Sequence, residues 1–302
     1  MTINLETFQN QLEQYISAHN LTKDGDSFST HSSLLCPVTR DGSPYMVKIV
    51  DTEGDEMIGA SMLRLYDGHG AIRIFDQVGS LQLLERIKPQ DSADSLVNMV
   101  CTGRDPEATE IICKIIQKLH PQVQGKMIDG AITFEKRVAN VRKYFDSGSA
   151  KSDQNLFEYG VVLSEALVQE SRDSLMLVHG DLHHYNVLSS NRGWLAIDPK
   201  GIVAHKAYEY APSLCDPAPH VDIVANKETM NRRARIMSEY SGIDVQLIVS
   251  YGLAHALQVA AWCQSDEWRT YWIRVAQTAR DNLQYSIQGK CCTPSISWSP
   301  NT

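Results

Sequence analysis

The residues best suited to chemistry lie in one short stretch, His179-Gly180-Asp181-Leu182-His183-His184-Tyr185-Asn186, followed by Val187-Leu188 and then Trp194 to Pro199. Asp181 and Asn186, an acid and an amide five positions apart on a loop leaving a strand, can both point into one cleft. A second acid, Asp198, arrives twelve positions after the amide, at the end of a returning strand. Phosphoryl transfer from Mg-ATP requires this combination: one carboxylate to accept a hydroxyl proton, and an amide and a carboxylate to hold magnesium through oxygen atoms. The strand, turn, strand and acid that follow make His-x-Asp-x-x-x-x-Asn far more specific than the motif alone.

The same chemistry makes a demand upstream. A lysine on a strand must reach the nucleotide phosphates, and a helical glutamate must hold it. Met46-Val47-Lys48-Ile49-Val50 places Lys48 in a β-prone run, and Glu56 lies on the next helical segment with Asp55 as its near competitor. No GxGxxG precedes Lys48. The stretch Ser27 to Ser33 occupies that position, and backbone amides with the hydroxyls of Ser29, Ser32 and Ser33 are the expected phosphate cover.

Positioning these groups takes two kinds of structure. Leu34 to Val38 and Tyr45 to Val50 flank Asp41-Gly42, a hairpin signal. A helix is expected over 53–66, with strands at Ala71 to Phe75 and Leu81 to Ile87. Beyond residue 90 helical patterns dominate: an N-cap at Asp105 with Pro106 behind it, an isoleucine stripe over 111–116, and further helices over 133–145, 156–169, 229–240, 245–263 and 268–285. One β-rich island, 175–178, 187–189 and 194–197, interrupts them and carries the catalytic loop. Arg232, Arg233 and Arg235 read as a solvated helix face, and 293–302 as a loose tail. The fold class is α+β and bilobal, with an antiparallel-sheet lobe over 1–86 and a helical lobe over 87–302.

Composition narrows the setting. Of 302 residues, 36 are acidic and 28 basic, a net charge of −8, which argues against a nucleic-acid-coating protein and favours a cationic small-molecule partner. Seven cysteines, scattered apart from Cys291-Cys292 and without CxxC spacing, suit reduced thiols in a cytosol. The N-terminus lacks a basic region followed by an apolar run, and no window reads as the ~18 to 20 uncharged apolar residues of a membrane helix. A cytoplasmic protein without membrane contact is expected.

The segment GDLHHYNVLSSNRGWLAIDPKG, together with VK and a helical glutamate, resembles the aminoglycoside phosphotransferases of the protein-kinase-like fold. More narrowly it is similar to the streptomycin 6-phosphotransferases, the aminoglycoside/hydroxyurea resistance kinases. Weaker similarity runs through DEMIGASMLRLYDGHGAIRI and Cys215-Asp216-Pro217. The resemblance implies that Asp181 is the catalytic base and that Asn186 and Asp198 hold Mg²⁺. It likewise implies that Lys48 binds phosphate and Glu56 orients Lys48. Leu84, Glu85 and Arg86 fall where the family's interlobe hinge meets adenine through its backbone. His183 sits two residues past the base, where protein kinases carry a phosphate-contacting lysine, and could steady the transferred group. Asp198-Pro199-Lys200 departs from the protein kinases' Asp-Phe-Gly, as in other small-molecule kinases.

A kinase of a small hydroxylated cation follows, using ATP (or GTP) and Mg²⁺. A guanidinium or ammonium acceptor needs carboxylates to replace its water shell. The candidates are Asp216, then Glu209, Asp266 and Glu267. Competing readings are a kinase of hydroxyurea or another small acceptor, a non-catalytic kinase-shaped binding protein, and a metallohydrolase using His179, Asp181, His183 and His184. The last leaves Lys48, Asn186 and Asp198 without roles.

Overall fold

The computed structural model describes residues 5–30, 33–50, 56–87 and 95–283. Ser32, Asp55, the side chain of Glu56, Cys291, Cys292 and the tail over 293–302 lie outside the described residues. The molecule is α+β and bilobal.

The first lobe runs α1 (Leu5–Ala18), β1 (Thr22–Lys23), β2 (Phe28–Ser29), β3 (Ser33–Arg40), β4 (Ser43–Val50), α2 (Glu56–Tyr66), β5 (Ile74–Val78) and β6 (Leu81–Glu85). Its sheet is antiparallel in the order β1-β3-β4-β6-β5, with β2 paired to β3. Asp41 and Gly42 take positive φ values of 52° and 75° and set Arg40 opposite Ser43. A two-residue turn of this kind matches the twist of the strands it joins. Side chains on β4 then alternate between faces. Val47 and Ile49 pack in one cluster with Leu12, Tyr15 and Ile16 of α1. Lys48, on the other face, reaches across to the second lobe.

Two strands differ from expectation. The run at Ala71 does not begin the sheet strand, because β5 starts only at Ile74. Ala71 and its neighbours bond the second lobe instead: the Ile72 amide donates to Ala196 O at 3.0 Å, and the Ala196 amide to Gly70 O at 2.8 Å. An apolar run shows that a segment is buried but not which strand covers it. The second strand ends at Glu85, short of Ile87.

The second lobe comprises α3 (Leu96–Cys101), α4 (Asp105–Val123), β7 (Ile132–Thr133), α5 (Phe134–Asp146), α6 (Gln154–Glu170), β8 (Leu175–Val178), β9 (Val187–Ser190), β10 (Gly193–Ala196), β11 (Ile202–His205), α7 (Ala211–Leu214), α8 (Val221–Val224), α9 (Lys227–Ser241), α10 (Val245–Trp262) and α11 (Asp266–Asn282). β9 and β10 form a separate hairpin, while β8 pairs with β11. Helix α10 is the axis of the lobe, packed on α5, α6, α7, α9 and α11. It corrects the hydropathy reading, since its 18 residues are long and apolar enough to cross a membrane. Twelve of them, from Ile248 to Ala260, are buried under these neighbours. Burial on all sides removes the polar face a surface helix would show.

Two more expectations fail in α4 and α9 for a shared reason. Asp105 is not a cap but the first residue of α4, and it is buried. Arg233, expected to be solvated, is 1% exposed and donates through Nε to Asp105 Oδ1 at 2.8 Å. Arg232 and Arg235 do stay on the surface. A buried guanidinium requires a charged partner, and Asp105 supplies it.

Candidate active site

The catalytic-loop segment leaves β8 under close control. Gly180 has φ +79°, and a Cβ there would meet Ile202 Cδ1 at 2.5 Å, so the turn requires glycine. His179 is fully buried. Its Nδ1 accepts the Asp181 amide at 3.3 Å and its Nε2 faces Ile197 O at 3.0 Å, an arrangement in which Nε2 carries the proton. Burial holds this ring's pKa low and the imidazole neutral. The His179 carbonyl in turn accepts the amides of Lys200 and Gly201 at 2.8 and 3.1 Å. The loop is thus tied to the segment that carries Asp198.

Asp181 lies over this frame. Asn186 Nδ2 donates to the Asp181 carbonyl at 2.9 Å and approaches its carboxylate at 3.4 Å. His183 Nε2 lies 3.9 Å from Asp181 Oδ1 and 3.1 Å from Asn186 Nδ2. The Ile197 amide donates to Asn186 O at 2.9 Å, continuing the β9–β10 ladder so that Asn186 and Asp198 end adjacent strands. Asp198 takes φ +56°, a left-handed conformation uncommon for a residue with a side chain. Its Oδ1 accepts Lys48 Nζ at 3.0 Å. Asp181, His183, Asn186, Asp198 and Lys48 therefore converge on one cleft. Helix α2 is pressed against the same segment, since a Cβ on Gly59 would lie 2.5 Å from Pro199 O.

Several expected site residues are placed otherwise. Glu209 is not open to an acceptor: it is 0% exposed, and its carboxylate accepts the amides of His179 and Gly180 at 2.8 and 3.2 Å. The loop amides needed a buried acceptor, and Glu209 serves as it. Asp266 is 94% exposed and pairs with Arg269 at 2.5 Å, a solvated first-turn charge on α11. Glu267 is exposed and lines a cavity of about 180 Å³ with Pro219, Trp268 and Tyr271. In the described part of the Ser27 to Ser33 stretch, β2 pairs with β3 and the Thr30 amide donates to Ser33 O at 2.8 Å. Ser33 is buried there, and Ser29 is exposed. At the expected hinge, the Glu85 carboxylate is held by Arg192 and its amide donates to Arg73 O at 2.8 Å. The Arg86 side chain pairs with Asp24 at 2.5 Å. Neither side chain is left for a nucleotide.

Asp216 is buried beside the loop. Burial pushes its carboxyl up, with His183 and the Ala218 amide pulling partly against. Its Oδ1 accepts the Ala218 amide at 2.9 Å, and its carbonyl accepts Arg233. Tyr185 donates to Ala218 O at 2.6 Å, and Tyr271 to Cys215 O at 3.0 Å. The metallohydrolase reading fails on the same geometry. Both nitrogens of the His179 ring face backbone partners, and among the described residues no three His, Cys, Asp or Glu side chains gather to hold a metal. Arg192 and Gly59 were not singled out from the sequence. Only Gly59 carried a signal, as a glycine inside a helix.

A five-strand sheet path with one helix over the cleft, a helical lobe beneath it and these polar groups between them define a phosphotransferase of the protein-kinase-like fold. An aminoglycoside phosphotransferase APH(4)-Ia, solved as a ternary complex with AMP-PNP and hygromycin B, superposes with a TM-score of 0.58 at 12% identity, covering 91% of this chain and 99% of that one. The sequence profile of the aminoglycoside/hydroxyurea antibiotic resistance kinases matches residues 18–267, and the chain belongs to that family. It is 29% identical to streptomycin 3''-kinase of Klebsiella pneumoniae, over 82% of this chain and 90% of that protein. It is 27% identical to streptomycin 6-kinase of Streptomyces glaucescens, over 83% and 81%. The protein is thus an enzyme, a kinase whose acceptor is a hydroxyl group.

Proposed function

We propose that this enzyme moves the γ-phosphoryl group of ATP to a hydroxyl of a cationic aminocyclitol of the streptomycin kind, in the cytoplasm, and that this confers antibiotic resistance. The observation that carries the reading is the meeting of Asp181, Asn186 and the Lys48–Asp198 pair in one cleft. Two streptomycin kinases among the relatives support the acceptor class.

Asp181 orients the attacking hydroxyl and accepts its proton, while His183 steadies the transferred group. Lys48 binds the nucleotide phosphates. Glu56, at the start of α2, orients Lys48, and the backbone around Glu85 and Arg86 meets the base. The amide oxygen of Asn186 and the carboxylate of Asp198 are hard oxygen donors and fit Mg²⁺. When bound, the ion neutralises charge on the phosphate oxygens. Asp216 is the acceptor-side carboxylate.

A panel of acceptors tests the reading, with Mg-ATP or Mg-GTP as donor and phosphorylated product detected by mass spectrometry. Streptomycin-like aminocyclitols are expected to be phosphorylated, with an acceptor KM that rises with ionic strength. Product from hydroxyurea or another neutral acceptor alone would overturn the substrate class.

A further inference from the structure

Arg192 lies in the tight turn between β9 and β10, at the far end of the hairpin from Asn186 and Asp198. The ladder has four residue pairs, from Ser190–Gly193 to Val187–Ala196, three steps that span about 10 Å at ~3.3 Å per residue. The Arg192 side chain is 27% exposed and reaches three other segments. Nε and Nη2 donate to the two Glu85 oxygens at 2.8 and 2.6 Å. Nη1 donates to Gly68 O at 3.0 Å, and Nη2 also reaches Ala71 O at 3.3 Å. Glu85 further accepts the Arg73 amide at 3.0 Å. Burial pushes the Glu85 carboxyl up, but Arg192 and the Arg73 amide outweigh it and keep the group ionised. At its other end the hairpin is pinned through Ala196 to Gly70 and Ile72.

We propose that Arg192 is a positioning residue for the nucleotide: it locks the hinge at Glu85 to the hairpin bearing Asn186 and Asp198. One guanidinium then sets the spacing between the adenine end and the phosphate end of the site. This rests on the hinge and metal roles given above. An exposed ion pair would carry little. Here the planar fork meets both carboxylate oxygens and two carbonyls, which a lysine cannot reproduce. A ligand spanning both ends depends on the lock, whereas one touching only the hinge does not.

The test measures binding of a magnesium-bound non-hydrolysable ATP analogue and of adenosine to the full chain by calorimetry. Arg192→Met should weaken the analogue about tenfold or more, and adenosine less than about twofold, with Arg192→Lys between parent and Arg192→Met. Glu85→Gln should reproduce the loss, and adding it to Arg192→Met should cost less than about twofold further, because both act through one contact. If Arg192→Met does not fold, Glu85→Gln alone carries the comparison. Unchanged analogue affinity, equal losses for both ligands, or multiplying losses would overturn the proposal. Nucleotide binding that follows the expected pattern without any phosphorylated aminocyclitol would sink the acceptor reading and leave this one standing.

Discussion

Lys48 and Asp198 stand 150 positions apart in the chain and meet at 3.0 Å, the Nζ of one on Oδ1 of the other, across the two lobes. The pair places a cation and a carboxylate where phosphate and magnesium would need them. Lys48→Met should lower kcat by about 10²- to 10³-fold, the range for removing one charge-stabilising group. Asp198→Asn should raise the magnesium concentration that half-saturates activity. Steady-state kinetics over a magnesium series separates them, and equal magnesium dependence in parent and Asp198→Asn would remove Asp198 from the metal site.

Asp216 gives a pH prediction. Its carboxyl is raised by burial, so it takes up a proton at a higher pH than an ordinary carboxylate. A cationic acceptor needs the ionised form, and acceptor affinity should therefore fall as pH drops through this raised pKa. Asp216→Asn should abolish that acid limb and raise acceptor KM about tenfold or more with a smaller change in kcat, as losing a charged hydrogen bond predicts. KM against pH for parent and variant is the measurement.

Glu209 anchors the catalytic loop rather than the substrate. Burial pushes its carboxyl up, yet His120, 3.5 Å away, and His179 with its amide pull it below the usual range. Its contribution is therefore present above the unfolded pKa and lost as pH falls through the lower folded value. Glu209→Ala strands two buried amides, at about 1–3 kcal/mol each. Urea denaturation should show that loss, together with reduced kcat and little change in acceptor KM.

Arg233 and Asp105 form a buried pair that also holds the Asp216 turn, through Ser213 O at 3.2 Å and Leu214 O at 3.4 Å. Arg233→Met leaves the buried Asp105 with only the surface Arg232, at 3.0 Å, as a cationic partner, and should cost somewhat less than the about 3–5 kcal/mol of a wholly uncompensated buried charge. Adding Asp105→Asn should restore part of it. Equal stability of parent and Arg233→Met in denaturant would show that the pair holds nothing.

Legibility in the sequence followed distance along the chain. Asp181, Asn186 and Asp198 fall within one loop and hairpin, so their spacing alone brings them near one another. Lys48 was visible because it interrupts the apolar β run Met46 to Val50, in which Val47 and Ile49 must face a core. What the sequence hid depends on partners from elsewhere. Arg232 and Arg233 are neighbours and both reach Asp105, yet Arg232 stays at the surface while Arg233 is sealed against it, 128 positions away. Periodicity marks faces, not what lies opposite them. Glu209 resembled a substrate carboxylate because nothing local shows that two loop amides consume it. Arg192 carried no local signal, since its contacts come from Gly68, Ala71 and Glu85.

The most direct measurement is intact-mass analysis of streptomycin after incubation with Mg-ATP and either the parent enzyme or Asp181→Asn, with nucleotide binding followed in parallel. The parent should add one phosphoryl group. Asp181→Asn should bind the nucleotide almost as the parent does and form product about 10²- to 10⁴-fold more slowly, the span attributed to a positioned base. Near-parental turnover by Asp181→Asn would contradict its role as the base, and an unmodified aminocyclitol with the parent would contradict the proposed acceptor.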